Sequence, residues 1–230
     1  MRALSRALRL TDAEFKLACR LAGHAAELDG TLPQLIGPNA QRLLSRLTDV
    51  PIAVFDAAWT LLEHHDLWAA LHGETRRRAG RETNLVWRTS HNDPGRVRHL
   101  APQDHRASLV ADLRDVTSRY PADHQLAAMI SDLRRSNTDF ARLWNGSAVA
   151  HHASERKTID HPQVGAIELD CDVLSLHGAN LRIIVFTAAP DSEAADKLRL
   201  LTVIGHQDMT SPTQTPSPPA HAKDRDLGTA

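Results

Sequence analysis

This 230-residue chain has few aromatic residues, few cysteines and little net charge, and these deficits limit the functions it can have. Aromatic residues make up 4% of it, there are two cysteines, and the formal charge is −1. No run of apolar residues approaches the ~18 that a membrane span requires, and no secretory leader pattern opens the chain. We therefore expect a soluble, cytoplasmic protein without membrane contact, whose thiols Cys19 and Cys171 are buried in apolar faces. A chain with almost no net charge also lacks the overall positive potential that is typical of nucleic-acid-binding proteins.

Motifs of catalysis and metal binding are missing as well. The chain contains no Gly-x-Ser-x-Gly, P-loop or dinucleotide fingerprint, and no His-Glu-x-x-His or Cys-x-x-Cys. Among its 14 histidines are the doublets His64-His65 and His151-His152. Adjacent side chains point apart on a helix or strand, so a doublet is a poor pair of metal ligands. We predict no enzymatic activity, no metal site and no obligatory cofactor.

The strongest pattern in the chain predicts two neighbouring strands. Between residues 166 and 176, apolar Ile167, Leu169, Cys171 and Val173 alternate with Glu168, Asp170 and Asp172, which indicates one apolar and one solvated face. Residues 181–188 are apolar on both faces, which is typical of a strand inside a sheet. A turn through residues 177–180 joins the two.

A second turn, over residues 161–165, precedes the first of these strands. Pro162 fixes its own φ and Gly165 lets the chain reverse into the strand. We interpret His161 as a structural histidine of this turn rather than a ligand-binding one.

Helical periodicity accounts for most of the remaining chain. It predicts helices at residues 41–47, 66–71, 103–119, 123–135 and 136–144. Between the first two, residues 52–56 and 60–63 are predicted to form a pair of strands. A last helix follows residue 192 and carries Leu198, Leu201 and Ile204 on one side. Near the N-terminus, Thr11 and Glu14 have the spacing of a capping box.

Composition divides the chain into four parts. We predict short helices over residues 1–26, a linker with a short helix over 27–47, and one α+β domain over 48–205. The Pro/Ser/Thr-rich tail, residues 206–230, lacks apolar periodicity and is expected to be disordered.

Four segments of the chain, in order, resemble one known family. They read "FARLW", "ERKTIDHPQVG", "ELDCDVL" and "FTAAPDSEAADKLRLL" in the printed sequence, and they are similar to the ligand-binding domain of MmyB-like transcription regulators. The resemblance runs nearly ungapped from about Asn84 to Leu201. The segment "RALSRALRLTDAEFKLACRLAG" further resembles the last helices of an Xre-type helix-turn-helix domain, whose recognition helix would lie upstream.

The resemblance implies a fold and a ligand. The fold class is α+β, a PAS-like antiparallel sheet wrapped by helices and preceded by short helices left from a helix-turn-helix domain. The implied ligand is a non-covalently bound molecule such as a long-chain fatty acid, which biases a dimeric regulator between DNA-binding states. We expect this chain itself to contact DNA only if an upstream helix-turn-helix is present.

The candidate ligand-binding residues are mainly large apolar and aromatic residues. These are Trp59, Trp68, Trp87, Phe140, Trp144, Ile183 and Val185, which either form the core or together line an apolar cavity. Arg88 and Arg142 are the cations nearest these aromatics in sequence, and either could meet a carboxylate head group. The resemblance adds a signature turn that comprises His161, Pro162, Gly165 and, further along, Asp170.

Two functions fit these observations. The first is the ligand-sensing domain of a DNA-binding transcription regulator, with an apolar molecule in a PAS-like pocket. The alternative is a stand-alone lipid- or metabolite-binding protein that acts through partner regulators, as a homodimer or as a heterodimer with full-length relatives.

Overall fold

A computed structural model describes residues 31–73, 78–146, 155–176 and 180–210, together with Leu8, Leu10, Thr11 and Glu14. In these residues the chain forms helices α1 to α7, at Pro38–Arg46, Asp66–His72, Leu85–Ser90, Pro102–Arg119, His124–Ser136, Thr138–Asn145 and Glu193–Thr210. Strands β1 to β6 are Ile52–Asp56, Leu61–His64, Val97–His99, Glu155–His161, Gly165–Leu176 and Leu181–Thr187, and a 3-10 turn spans Gly80–Thr83.

All six strands belong to one antiparallel sheet. Its order is β2-β1-β6-β5-β4-β3, so the two edge strands are β2 and β3. β6 lies between β1 and β5, with Ala53 and Val173 both opposite Ile184. The predicted α+β fold, an antiparallel sheet wrapped by helices, is confirmed.

The two faces of the sheet are covered unequally. One face packs against helices α2 to α7 around a large core, to which the sheet contributes Phe55, Ile159, Ile167, Leu169, Cys171, Ile184 and Phe186. The other face is covered over β1 and β6 by α1, through Ala40 and Leu44 against Val54, Leu181 and Ile183. β6 contributes to both cores, which explains why its sequence is apolar on both sides.

The β1–β2 turn is tied to the helices by a network around Trp59 and Asn84. Trp59 has a positive φ of 68° and is 1% exposed, a conformation that is unusual for a bulky residue. Its indole nitrogen donates to Asp112 on α4 (2.9 Å), and Arg182 of β6 stacks over its ring at 4.8 Å. Asn84 donates to the Ala58 carbonyl (2.7 Å) and, as N-cap of α3, accepts from the Trp87 amide (3.0 Å). These bonds hold the turn against α3 and α4.

Several local predictions can be compared with the structure. The capping box is present, since the Thr11 amide donates to the Glu14 carboxylate (2.8 Å); the other residues of that helix lie outside the described part of the chain. The last helix continues to Thr210, past the predicted start of the tail. Helical hydrogen bonds can extend residue by residue through this stretch, since its first proline is Pro212. The described helices include none with the combined length and hydrophobicity that a bilayer crossing requires.

Candidate ligand-binding site

A pocket opens between the helix-covered sheet face and a wall made by α2, the 3-10 turn and α3. Its empty space is about 800 Å³ including the open mouth. Its enclosed part has a volume of about 70 Å³. The pocket is thus of ligand-binding size overall but is narrow at its base.

The floor of the pocket is aromatic. Trp68 stacks on His72 one helical turn later, with ring centroids 4.0 Å apart and an interplanar angle of 19°. Phe186 of β6 packs against both rings at 5.4 Å. His72 keeps some exposure through the pocket, yet burial between these rings lowers its pKa from 6.5 to about 3. The floor is therefore uncharged at neutral pH.

Arginines form the rim. Arg78 and Arg88 both pair with Asp93, at 2.6 and 3.1 Å. Burial would raise the pKa of Asp93, but the hydrogen bonds from these two guanidinium groups lower it to about 2. Two cations share one carboxylate, so this part of the rim has an excess of positive charge.

Arg96, a third arginine that lines the pocket, contacts the C-terminal end of α2 from a later part of the chain. It donates to the carbonyl oxygens of Ala70 (3.3 Å) and Leu71 (3.2 Å), the groups that a helix leaves without intrahelical donors. Gly73 makes this possible, because a Cβ there would lie 2.9 Å from the guanidinium, and its φ of +81° disfavours other residues.

The same helix end receives the predicted structural histidine. His161 bonds through Nε2 to the Ala70 carbonyl (3.0 Å), while its Nδ1 accepts from the Gln163 amide (3.2 Å). These partners require the neutral tautomer with the proton on Nε2. Gly165 adopts a φ of +74° in the turn, and Pro162 is exposed. Asp170, the fourth residue of the signature, lies on the other sheet face and pairs with Arg156 at 3.2 Å.

At the inner end, the pocket is lined by His99, His105 and Lys157. The two imidazole rings are stacked, with centroids 3.9 Å apart. Lys157 is 8% exposed, and its ammonium lies 3.9 Å from Glu155 Oε2. Burial, together with Lys157, lowers the pKa of His99 to about 4, so this ring is also neutral at pH 7.

The structure brings together two of the nine residues that we predicted from sequence as ligand-binding. Trp68 and Arg88 both line the pocket. Trp87 is half-buried beside it, with His91 at 4.3 Å and the Arg81 guanidinium 4.9 Å from its ring.

The other six lie elsewhere in the fold. Trp59 is part of the turn network described above. Phe140 and Trp144 stack on each other along α6 at 5.7 Å, and Phe140 lines a separate narrow crevice. Ile183 and Val185 belong to the core under α1, on the opposite sheet face. Arg142 is exposed and lies 3.5 Å from Asp139.

Sequence reasoning did not find most of the residues that line the pocket. They include Phe55, Leu61, His72, Arg78, Arg96, His99, His105, Lys157 and Phe186. The basic run from residue 76 to 81 offers one signal, since Arg78 belongs to it. For the histidines the signal is the six-residue spacing of His99 and His105 across a strand-to-helix connection, rather than a doublet or a helical pair.

Comparison with known families gives one match. Residues 36–201 match the family model described as the MmyB-like transcription regulator ligand binding domain. This region contains every strand of the sheet, helices α1 to α6 and the first half of α7. Comparison with curated individual proteins found no match.

Proposed function

Because the chain belongs to the MmyB-like transcription regulator ligand binding domain family, we propose that its pocket senses an apolar molecule with an anionic head group, such as a fatty acid. The family supports a ligand-sensing role in regulation. The chemical class of the ligand is proposed from the pocket itself.

The observation that carries this proposal is the division of the lining into two chemical zones. Phe55, Trp68 and Phe186 offer an apolar floor. Arg78, Arg88, Arg96 and Lys157 surround it with four cations, against one lining carboxylate, Glu82, and the shared Asp93. An apolar tail would replace water over the aromatic rings, and an anionic head would receive charge-assisted hydrogen bonds from the guanidinium groups.

The narrow base of the pocket supplies a reason for binding to change the structure. An enclosed volume of about 70 Å³ is too little for a long acyl chain, so we expect lining side chains to move when such a ligand enters. A ligand that binds the opened arrangement better than the closed one shifts the population between them. Trp68 and His72 are lining residues on α2, so their movement would pass to that helix.

The first test is mass spectrometry of an organic extract from the purified, denatured protein. A stoichiometric fatty acid is the expected result. An empty extract, together with no thermal shift on adding fatty acids, would contradict the proposal.

The second test separates the head group from the tail. Arg96→Met should weaken dodecanoate binding by about 10- to 100-fold, the value of one hydrogen bond to a charged group, while binding of dodecanol should change little. Arg142→Met is the matched control, because Arg142 is an exposed arginine outside the pocket. Calorimetric titration measures both affinities, and an equal loss for acid and alcohol would refute the carboxylate role.

A further inference from the structure

A cluster of three metal-ligating side chains lies at the inner end of the pocket. One ligand atom from each of His99, His105 and Glu155 can be chosen so that all lie within 4.8 Å of one another. Ligands of a tetrahedral ion with bonds of about 2.0–2.2 Å are separated by about 3.4 Å. Small rotamer changes would therefore close the cluster around an ion.

Strand pairing brings these residues together. In the β3–β4 register His99 lies opposite Lys157. Glu155 is two residues from Lys157 on β4, so it points to the same sheet face. His105 lies in the first turn of α4, which follows β3 closely and places its ring on that of His99. The three side chains thus converge from two strands and a helix, all of which are rigid elements.

Two buried atoms of the cluster lack hydrogen bonds within the described part of the chain. They are Nδ1 of His99 and Oε1 of Glu155. The nearest approach of the two side chains, 3.8 Å between His99 Nδ1 and Glu155 Oε2, is too long for a hydrogen bond. Buried polar atoms are rarely left in this state, and a bound ion is one of the standard explanations.

We propose that His99, His105 and Glu155 bind a first-row divalent metal ion, with Zn²⁺ as the best match. Two imidazoles and one carboxylate are a recurrent donor set for zinc sites that keep a coordination position open. His99 and His105 line the pocket, so the remaining positions face its interior, where water or an oxygen of a bound molecule can fill them. The proposal does not depend on the identity of the pocket ligand.

Lys157 is the group that opposes an ion here. Its ammonium lies 3.9 Å from Glu155 Oε2 and neutralises the carboxylate when no ion is bound. A divalent ion at Glu155 would repel it.

The test is calorimetric titration of the full chain with Zn²⁺, with Co²⁺ as a spectroscopic probe. Wild type should bind one ion more tightly than its scattered surface histidines do, and bound Co²⁺ should give the intense visible absorption of four- or five-coordinate geometry. His99→Ala and Glu155→Gln should each weaken this site about 100-fold or more, since loss of an outer-shell partner alone costs about 10- to 100-fold. His124→Ala, at an exposed histidine, is the matched control and should leave it unchanged.

One further variant tests the geometry without removing a ligand. Lys157→Met should tighten Zn²⁺ binding by about tenfold or more, because it removes the competing charge beside Glu155. Circular dichroism of each variant checks that it is folded. Equal Zn²⁺ affinity in wild type and His99→Ala, or unchanged affinity in folded Lys157→Met, would overturn the assignment.

Discussion

At the scale of single residues, the pocket combines imidazole rings that are uncharged at neutral pH with arginine and lysine side chains that are charged. The ring of His72 is held between Trp68 and Phe186, and Arg88, Arg96 and Lys157 act on it through their positive charges. Burial and these cations both disfavour the imidazolium form. The positive charge of the site is thus confined to its rim and to Lys157.

His72 should make the protein sensitive to acid. Its pKa is about 3 in the folded chain and 6.5 ordinarily, so between these values the unfolded state binds more protons. Stability is therefore full above about pH 6.5 and falls as pH decreases towards 3. His72→Phe keeps the ring contacts and removes the titration, and it should flatten the pH dependence of the unfolding free energy by up to about 1.4 kcal/mol per pH unit.

Denaturant unfolding at a series of pH values between 4 and 7 measures this dependence. This pH range lies between the lowered and the ordinary pKa of His72, apart from its upper end. The exposed His124 serves as the comparison, and His124→Phe should leave the slope as in wild type. Identical slopes in His72→Phe and wild type would show that the imidazole does not contribute.

At the scale of elements, two asparagines perform the same capping task in different surroundings. Asn84 is 1% exposed and, besides capping α3, donates to the Ala58 carbonyl and to Thr60 Oγ1 at 3.1 Å. Asn137 is half-buried, caps α6 through the Phe140 amide at 2.7 Å, and donates to the carbonyl of Ser90, which is itself only half-buried. Asn84 holds the β1–β2 turn and α3 in one unit, since the Leu85 amide also donates to the Trp59 carbonyl.

Asn84→Ala should destabilise the fold more than Asn137→Ala does. We expect about 2–4 kcal/mol for Asn84, because a helix cap and a buried carbonyl partner are lost together. For Asn137 the expected loss is smaller, about 1–2 kcal/mol, because the Ser90 carbonyl that loses its partner is only half-buried and can bond to water instead. Chemical denaturation of the two variants gives both values, and equal losses would mean that the tether to the turn contributes nothing.

The elements also show what sequence can and cannot predict. The position of β6 inside the sheet followed from its apolar residues on both faces, and the alternation of β5 was equally clear. β4 gave a weak signal because its inward positions include two polar residues, Lys157, whose ammonium lies near Glu155, and His161, which bonds to the distant Ala70 carbonyl. β3 has three residues, which is too short for any period to be seen.

The candidate site was harder to predict, for a physical reason. Aromatic residues fill a core and line a pocket equally well, and only the register of strands and the turns decide between the two roles. Trp59 illustrates this, because its left-handed conformation turns the indole towards Asp112 rather than into the pocket. The cluster of His99, His105 and Glu155 depends on the β3–β4 register and on how α4 packs after β3, and no local pattern contains either.

At the scale of the whole molecule, α2 connects the pocket to the C-terminal helix. One side of α2 presents Trp68 and His72 to the pocket, and the helix packs closely against α7, where Leu198 and Leu201 are buried. A change in the position of α2 would therefore alter its packing against α7. Helix α6 packs on α5 and on α4, and α5 also contacts α3, away from the contact of α2 with α7.

Hydrogen exchange should reveal this connection. Saturating dodecanoate should change the protection of amides in α2 and α7 more than of those in α5 and α6, because ligand contacts on α2 are passed on through packed side chains. Arg96→Met at the same concentration serves as the control, and in it the change should be reduced. A uniform change over all helices would indicate global stabilisation by binding rather than coupling through α2.

The shape of the sheet has a consequence for self-association. An open sheet exposes unpaired backbone groups along both edges, which invite strands of other molecules to add on. Here the edges are β2, with four residues, and β3, with three, and the exposed Arg98 of β3 pairs with Asp160 at 2.6 Å. Edges this short offer few backbone hydrogen bonds to a second chain. Among the described residues, these two edge strands therefore give a second chain little opportunity to extend the sheet by amyloid-like stacking.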